Sequence, residues 1–567
     1  MTARVAWARW TGLVAALCLL NIALTLHNVW PTPAVRLAQP VPELSIELML
    51  ALLAVLAWAA RRGALPAQLP AVLAVAWLLL ALARYLEITA PALYGRPVNL
   101  YWDLRHVANV AHMLAEAAGP ALALGLLLAL LVASGIAFLA LRLAWRRVSA
   151  AATHATERRV LAGLASVLAV AWLAGLAGHA PAPGWLRFSV PVTATVADQF
   201  ALVTRTVADA RQAPLAGGSA AENAPPSFAA LAGDDVLLVF LESYGSITLD
   251  EPALAARLAG ARAGVAHAVA ATGRRSVSAT VVAPTFGGSS WLSHLSLLSG
   301  RDVTDPGTYA RIMQGSGSTL VGDFTRAGYE TLALMPGLRQ AWPEGAFYRF
   351  DRILGADALD YRGPEFGWWR IPDQFVLARL DAEPRAGRPR FVFFTTISSH
   401  APFRPTPYYQ PDWTRLLGPT PFGAEAERAI ALAPDWTNLA PAYGDSIAYA
   451  LQWLAGYLER QAGADLTVVV LGDHQPPAAV SGTGREWTVP AHVITRRGAV
   501  LDALLGAGFV AGLEPQSAPI GTTGGLRALL ARAFSDSGFV VAEQGLDASR
   551  VDVARGTGEA AVGEQAL

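Results

Sequence analysis

Five nearly unbroken apolar stretches occupy the first third of the chain, at roughly Trp10 to Leu26, Leu44 to Ala60, Leu65 to Ala83, Ala121 to Leu141 and Val160 to Gly178. Each is long enough for a helix to cross a hydrocarbon core of about 30 Å. The first could pass for a signal peptide. It lacks a convincing small-residue cleavage site, and four more segments follow, so it is read as retained. The expectation is a five-span membrane domain over residues 1–179.

The pattern then changes. Between Gly184 and about Arg211, Phe188, Val192, Val196, Phe200 and Val203 recur every three or four positions, which predicts an amphipathic helix along the bilayer. The Ala, Gly, Ser and Pro residues of Ala213 to Pro226 predict a flexible linker, so 180–233 reads as a connector. From 234 to 545 short apolar runs alternate with helical patterns, the signature of an α/β domain with a largely parallel sheet. Residues 546–567 read as a disordered tail.

Three of those runs resemble strands buried on both faces. Val236 to Leu241 ends in Glu242, Arg390 to Thr396 leads into Ser398-Ser399-His400, and Leu466 to Leu471 leads into Gly472-Asp473-His474. Sites in open α/β sheets form at the carboxyl ends of strands. Singly, Glu242 could cap a helix, His400 could be a satisfied loop histidine and Asp473 could start a turn. Together they predict one site. A fourth element, Pro284-Thr-Phe-Gly-Gly-Ser289-Ser290-Trp-Leu-Ser-His294, sets a hydroxyl at the start of a predicted helix, a favourable place for an anionic ester. A plain N-cap serine is the alternative.

Composition sharpens this. The hydrophobic share is 54% and is concentrated before residue 180, which supports the membrane reading. All 43 basic residues are arginine, so a lysine Schiff base is excluded, and no basic run suits nucleic acid. The lone Cys18 excludes a disulfide scaffold. With the N-terminus inside, internal loops hold Arg4, Arg9, Arg61, Arg62, Arg142, Arg146, Arg147, Arg158 and Arg159. External ones hold only Arg36, Arg84, Arg96 and Arg105. That asymmetry, with an odd number of spans, predicts an external C-terminal domain. The stretch Asn99 to His106 is read as an interfacial helix with Tyr101 and Trp102 at headgroup depth, or as a guide for a lipid headgroup.

A serine hydroxyl needs activation, and a divalent metal supplies it while offsetting phosphoryl charge. Glu242, Asp473, His474 and the Ser290 oxygen form an oxygen and nitrogen donor set suited to manganese, zinc or magnesium.

These motifs resemble the alkaline phosphatase superfamily, in its lipoteichoic acid synthase, phosphoglycerol transferase and sulfatase-like branch. The resemblance rests on Leu-Glu242-Ser, Gly-Gly-x-Ser290 with Leu-Ser-Gly300 ten residues on, Ser399-His400-Ala-Pro-Phe403 and Gly472-Asp473-His474. It implies an α/β fold of that type behind five transmembrane helices. It also implies one divalent ion, manganese first, on Glu242, Ser290, Asp473 and His474. Ser290 falls on the nucleophile, the spacing to Gly300 choosing it over Ser289, and His400 falls on a substrate-binding histidine able to protonate a leaving group. Formylglycine sulfatases carry Pro at +2 and Arg at +4, where this chain has Leu292 and His294, which moves the expected substrate toward phosphate esters. His294, a candidate substrate-binding residue, stands where synthases have Glu and phosphodiesterases have His. Tyr348 and Arg349, in a stretch loosely like the synthases' headgroup site, are candidate phosphate contacts or surface packing. His492 is read as a buried structural histidine.

The resulting expectation is a bacterial inner-membrane enzyme with its catalytic domain outside. It would transfer or hydrolyse phosphoglycerol or phosphate esters from an anionic phospholipid donor through Ser290. The acceptor is left open among glycan, lipid and water. A sulfuric ester hydrolase and a non-catalytic lipid sensor are the alternatives.

Overall fold

The computed structural model describes residues 3–27, 39–94, 98–101, 103–104, 107, 120–177, 186–209, 227–315, 317–340, 342–367, 370–482 and 484–535. The chain divides into two compact units. One comprises Met1–Gln212 with Trp436–Asn438 and Pro477–Gly484, and the other the remainder.

In the first unit the five apolar segments form helices α1 (Ala3–Ile22), α2 (Ile46–Arg62), α3 (Leu69–Tyr94), α4 (Pro120–Thr153) and α5 (Ala155–Leu176). Among the described residues, three stretches are long and apolar enough to cross a membrane: Leu69–Ala90, Leu124–Thr153 and Ala155–Leu176. The apolar part of α1 is the shorter Trp7–Ile22. Helix α2 has 17 residues, with Glu47 in its first turn and Arg61 and Arg62 in its last. Charge at both ends shortens its apolar stretch, so the structure supports three spans directly where the hydropathy pattern suggested five.

Inside this unit Trp77 meets Trp145 edge to face at 4.8 Å. Its indole N–H donates to Leu20 O at 2.9 Å. Buried Glu157 accepts Arg9 and Arg147, at 2.9 and 3.1 Å. The amphipathic segment folds as α6 (Val192–Asp209). Glu47 accepts the Thr193 N–H at 3.0 Å, near the α6 N-terminus, and Glu87 accepts the Thr195 hydroxyl at 2.7 Å. In the 99–106 stretch Asp103 accepts the Asn99 N–H at 2.8 Å. Trp102, Arg105, His106, the 213–226 linker and the tail after 546 lie outside the described residues.

The second unit is built on a nine-stranded sheet. Its strands are β1 (Asp235–Leu241), β2 (Arg275–Val282), β3 (Glu330–Met335), β4 (Arg352–Gly355), β5 (Arg390–Thr395), β6 (Leu466–Gly472), β7 (Thr488–Thr495), β8 (Val510–Ala511) and β9 (Pro519–Thr522). The order is β8-β2-β7-β6-β1-β5-β3-β4, with β9 also beside β2. Pairings from β6 through β1, β5 and β3 to β4 are parallel. Strand β7 runs antiparallel between β6 and β2. The expected mostly parallel α/β domain is therefore present.

Every residue of β6 is buried, as are six of seven in β1, which explains their unbroken apolar runs. Each fully buried Val, Leu or Phe contributes about 1.5–3 kcal/mol. Helices α7 (Pro252–Ala271) and α10 (Ala440–Arg460) pack together, as do α8 (Ser290–Ser299) and α11 (Thr523–Phe534). A further helix, α9 (Asp373–Ala382), follows the β4 region.

Register decides what this sheet can present. Gly472 of β6 pairs with Leu241 of β1, and Phe240 of β1 pairs with Thr395 of β5. The three central strands thus end level. Glu242, Thr396 and Asp473 emerge side by side.

Candidate active site

Glu242 and Asp473 leave adjacent parallel strands, and His474 follows at once. All three are buried, and one ligand atom from each lies within 4.8 Å of the others. Such a turn needs Gly472: a Cβ there would lie 1.9 Å from Tyr244 O, so no larger residue can precede Asp473. The Asp473 Oδ1 accepts the N–H groups of Ser243 and His474, both at 2.8 Å, which fixes the carboxylate against both strand ends. His474 Nδ1 donates to Gln475 O at 2.8 Å. In the neutral ring the lone pair is then on Nε2, which lies 3.5 Å from Glu242 Oε1 and 3.6 Å from Asp473 Oδ2.

Ser290 enters this cluster from another direction. Gly287, Gly288 and Ser289 all have positive φ, and Gly288, at φ 147°, adopts a conformation that a side chain would strain. The left-handed turn ends at Ser289, which N-caps α8, and Ser290 is the first helical residue. Its hydroxyl donates to Glu242 Oε2 at 3.1 Å and lies 3.1 Å from His474 Nε2. Ser293, one turn on, donates to Asp473 O and ties α8 to the end of β6. Ser289 makes no side-chain capping bond. Of the two serines, Ser290 is the one the structure brings to the acidic cluster.

Electrostatically the cluster is unbalanced. Burial, then the nearby Glu242 charge, pushes the Asp473 carboxyl up to about 6. Burial alone would depress His474, but Asp473 and Glu242 raise it overall. Among the described residues no arginine pairs with either carboxylate. Two buried carboxylates facing one imidazole and one hydroxyl repel each other, and a divalent cation would restore the balance. The residues present fit such an ion: two carboxylate donors, an Nε2 lone pair and a hydroxyl oxygen converge.

His400 stands at the end of β5. Its Nδ1 donates to Ala401 O at 2.8 Å, which directs Nε2 to act as the acid or base atom. Burial lowers its pKa, and the charges of His474 and Asp473 act on it as well. His294 lies on α8, edge-on to Phe240 at 4.7 Å and Phe393 at 5.6 Å. Burial holds it down to about 4, so it is neutral at physiological pH.

The other candidates fall elsewhere. Tyr348 is 2% exposed, stacked on Trp342 at 5.4 Å, so it packs within the aromatic core. Arg349 is exposed, with φ 59°. Among the described residues neither forms a hydrogen bond or ion pair with Glu242, Ser290, Asp473 or His474. His492 is buried, with Nδ1 2.6 Å from Ser278 Oγ and Nε2 3.2 Å from Tyr244 Oη. Ser278 already donates to Gly512 O, so His492 donates from Nδ1 and accepts at Nε2. This is the structural role expected of it.

Several supporting residues escaped the sequence. Thr396 Oγ1 accepts the Glu242 N–H at 2.9 Å, and Ser399 Oγ donates to Glu242 O at 2.6 Å. Ser243 Oγ donates to Glu242 Oε1 at 3.0 Å. The available signal was a run of small hydroxyl residues at buried strand ends, too common to single out.

Residues 274–492 match the Sulfatase family model, a span that holds Ser290, His400, Asp473 and His474 and begins after Glu242. Among solved structures, the Streptococcus pyogenes phosphoglycerol transferase GacH in complex with sn-glycerol-1-phosphate is 11% identical. That match covers 60% of this chain and 81% of that one, at a TM-score of 0.37. The lipoteichoic acid synthase LtaP from Listeria monocytogenes is 14% identical over 57% of this chain and 81% of its own, with TM-score 0.32. The C-terminal periplasmic domain of EptC from Escherichia coli is 11% identical over 50% and 76%, with TM-score 0.31. Curated proteins give no match. At these TM-scores the likenesses add nothing to the topology and geometry already described. The C-terminal unit is thus similar to the Sulfatase family over residues 274–492, a span that takes in the serine turn and the ends of β5 and β6.

Proposed function

We propose that this domain is a metal-dependent phosphoglycerol or phosphate-ester transferase or hydrolase that works through a covalent Ser290 intermediate on anionic phospholipid headgroups. One observation carries the reading: the Ser290 hydroxyl lies 3.1 Å from both Glu242 Oε2 and His474 Nε2. A serine serving only as a helix cap has no reason to sit among buried metal-type donors.

Glu242, Asp473, His474 and Ser290 would hold one divalent ion, manganese first with magnesium or zinc as alternatives, which supplies Lewis acidity to the hydroxyl and to the phosphoryl oxygens. The remaining steps belong to the chain. Ser290 hands its proton toward Glu242 Oε2, its hydrogen-bond acceptor, and its oxygen attacks phosphorus. A phosphoserine ester forms as the bond to the leaving alkoxide breaks. The approaching anion favours protonation of His400 at Nε2, and that proton goes to the leaving oxygen. Neutral again, His400 takes a proton from the acceptor hydroxyl or water, which then displaces the Ser290 oxygen as Glu242 returns its proton to it.

Phosphate is preferred over sulfate because Leu292 and His294 replace the Pro and Arg that accompany formylglycine. The Sulfatase match keeps sulfuric ester hydrolysis as the second reading. With purified full-length protein and phosphatidylglycerol, Ser290→Ala should abolish turnover while the fold persists. Full activity in that variant would remove Ser290 from the mechanism.

A further inference from the structure

A buried carboxylate behind the site has no cation to pair with. Asp373, at the start of α9, is 0% exposed. Among the described residues it forms no ion pair. Both its oxygens are spent on one turn: Oδ1 accepts the Ile397 N–H at 2.8 Å and Oδ2 accepts the Ser398 N–H at 3.0 Å. The turn answers, because Ser398 Oγ accepts the Asp373 N–H at 3.1 Å. Burying an anion against neutral donors alone is expensive. Burial accordingly pushes the Asp373 carboxyl up to about 6, against which the Ile397 and Ser398 bonds pull down.

What that cost secures lies three residues on. The His400 N–H donates to Ile397 O at 3.0 Å, and Ser399 donates to Glu242 O at 2.6 Å. The peptide units of Ile397 and Ser398, clamped by Asp373, therefore determine where the His400 ring starts. A neutral amide could accept only one of the two N–H groups and would turn an NH2 toward the other.

Given the proposed function, we infer that Asp373 is a positioning residue: it sets the turn from which His400 reaches the leaving and entering oxygens. It touches no reacting atom. Its effect should therefore appear only where His400 is needed as an acid.

The test compares two esters that transfer the same phosphoglycerol group. Phosphatidylglycerol expels a basic alkoxide, whereas glycerol p-nitrophenyl phosphate expels a phenolate that departs unprotonated. First-turnover release by the full-length, metal-loaded protein is measured for wild type, Asp373→Asn, His400→Ala and the double variant. Asp373→Asn should slow the lipid ester about tenfold to a hundredfold, a partial loss of the roughly 10²- to 10⁴-fold that general acid catalysis contributes, and leave the aryl ester unchanged. The double variant should be no slower than His400→Ala alone. Equal losses on both esters, or multiplied losses in the double variant, would overturn the assignment. If Asp373→Asn does not fold, Ser398→Ala becomes the readable variant. It should show a smaller loss confined to the lipid ester, and a loss on both esters would refute the inference. Wild type inert toward both esters, or an active Ser290→Ala, would instead sink the functional reading itself.

Discussion

Each donor at the site is held by bonds that leave one chosen atom facing the center. His474 spends Nδ1 on Gln475 O and offers Nε2, and His400 spends Nδ1 on Ala401 O. Asp473 spends Oδ1 on two backbone N–H groups. Asp373 gives a measurable consequence at this scale. Its folded pKa, about 6, lies above the 3.8 of an unperturbed carboxyl. A raised pKa means the folded state binds the proton more tightly. The group's favourable contribution is thus complete below about pH 3.8 and is lost as pH rises through 6. Relative to Asp373→Asn, wild type should lose up to roughly 3 kcal/mol of unfolding free energy over that window, at about 1.4 kcal/mol per unit. Urea titrations of both proteins at several pH values check this. Parallel pH curves would contradict it.

Helix α8 carries Ser290, the proposed nucleophile, and is anchored at both ends. Ser290 and Ser293 bind it to the strand ends, and Gly300, at φ 72°, terminates it in a left-handed cap. Arg527 of α11 then donates to Ser299 O at 3.0 Å while pairing with Asp323 at 2.8 Å, both partners being buried. Breaking a buried pair on one side strands the other charge. Arg527→Met should therefore cost about 3 kcal/mol, moderated by the second partner Arg326 on Asp323. Chemical denaturation reads the effect directly; a loss below about 1 kcal/mol would show that the surface pair suffices. Strands β1, β5 and β6 were legible in the sequence because both their faces are buried, so each appears as an unbroken apolar run ending in Glu242, His400 or Asp473. The antiparallel insertion of β7 and the Asp373 clamp were not. Both depend on pairings between distant segments, and no local pattern marks them. Helix α2 shows the converse: its composition suggests a span, but Glu47 and the paired arginines cut its apolar length.

At the scale of the whole molecule, one unit carries the apolar helices and the other carries the α/β domain that matches the Sulfatase family model over residues 274–492. The arginine asymmetry predicts an external position for the C-terminal domain. A reporter enzyme active only outside the cytoplasm, fused after the last residue, should be active; a silent fusion with normal protein levels would reverse the orientation. The proposed covalent intermediate on Ser290 is a separate, chemical matter. Intact-protein mass spectrometry after mixing the metal-loaded full-length protein with phosphatidylglycerol, quenched in acid, tests it most directly. Wild type should gain the mass of one phosphoglycerol group on Ser290, and Ser290→Ala none. No adduct on Ser290 during active turnover, or one appearing only with a sulfate ester, would contradict it.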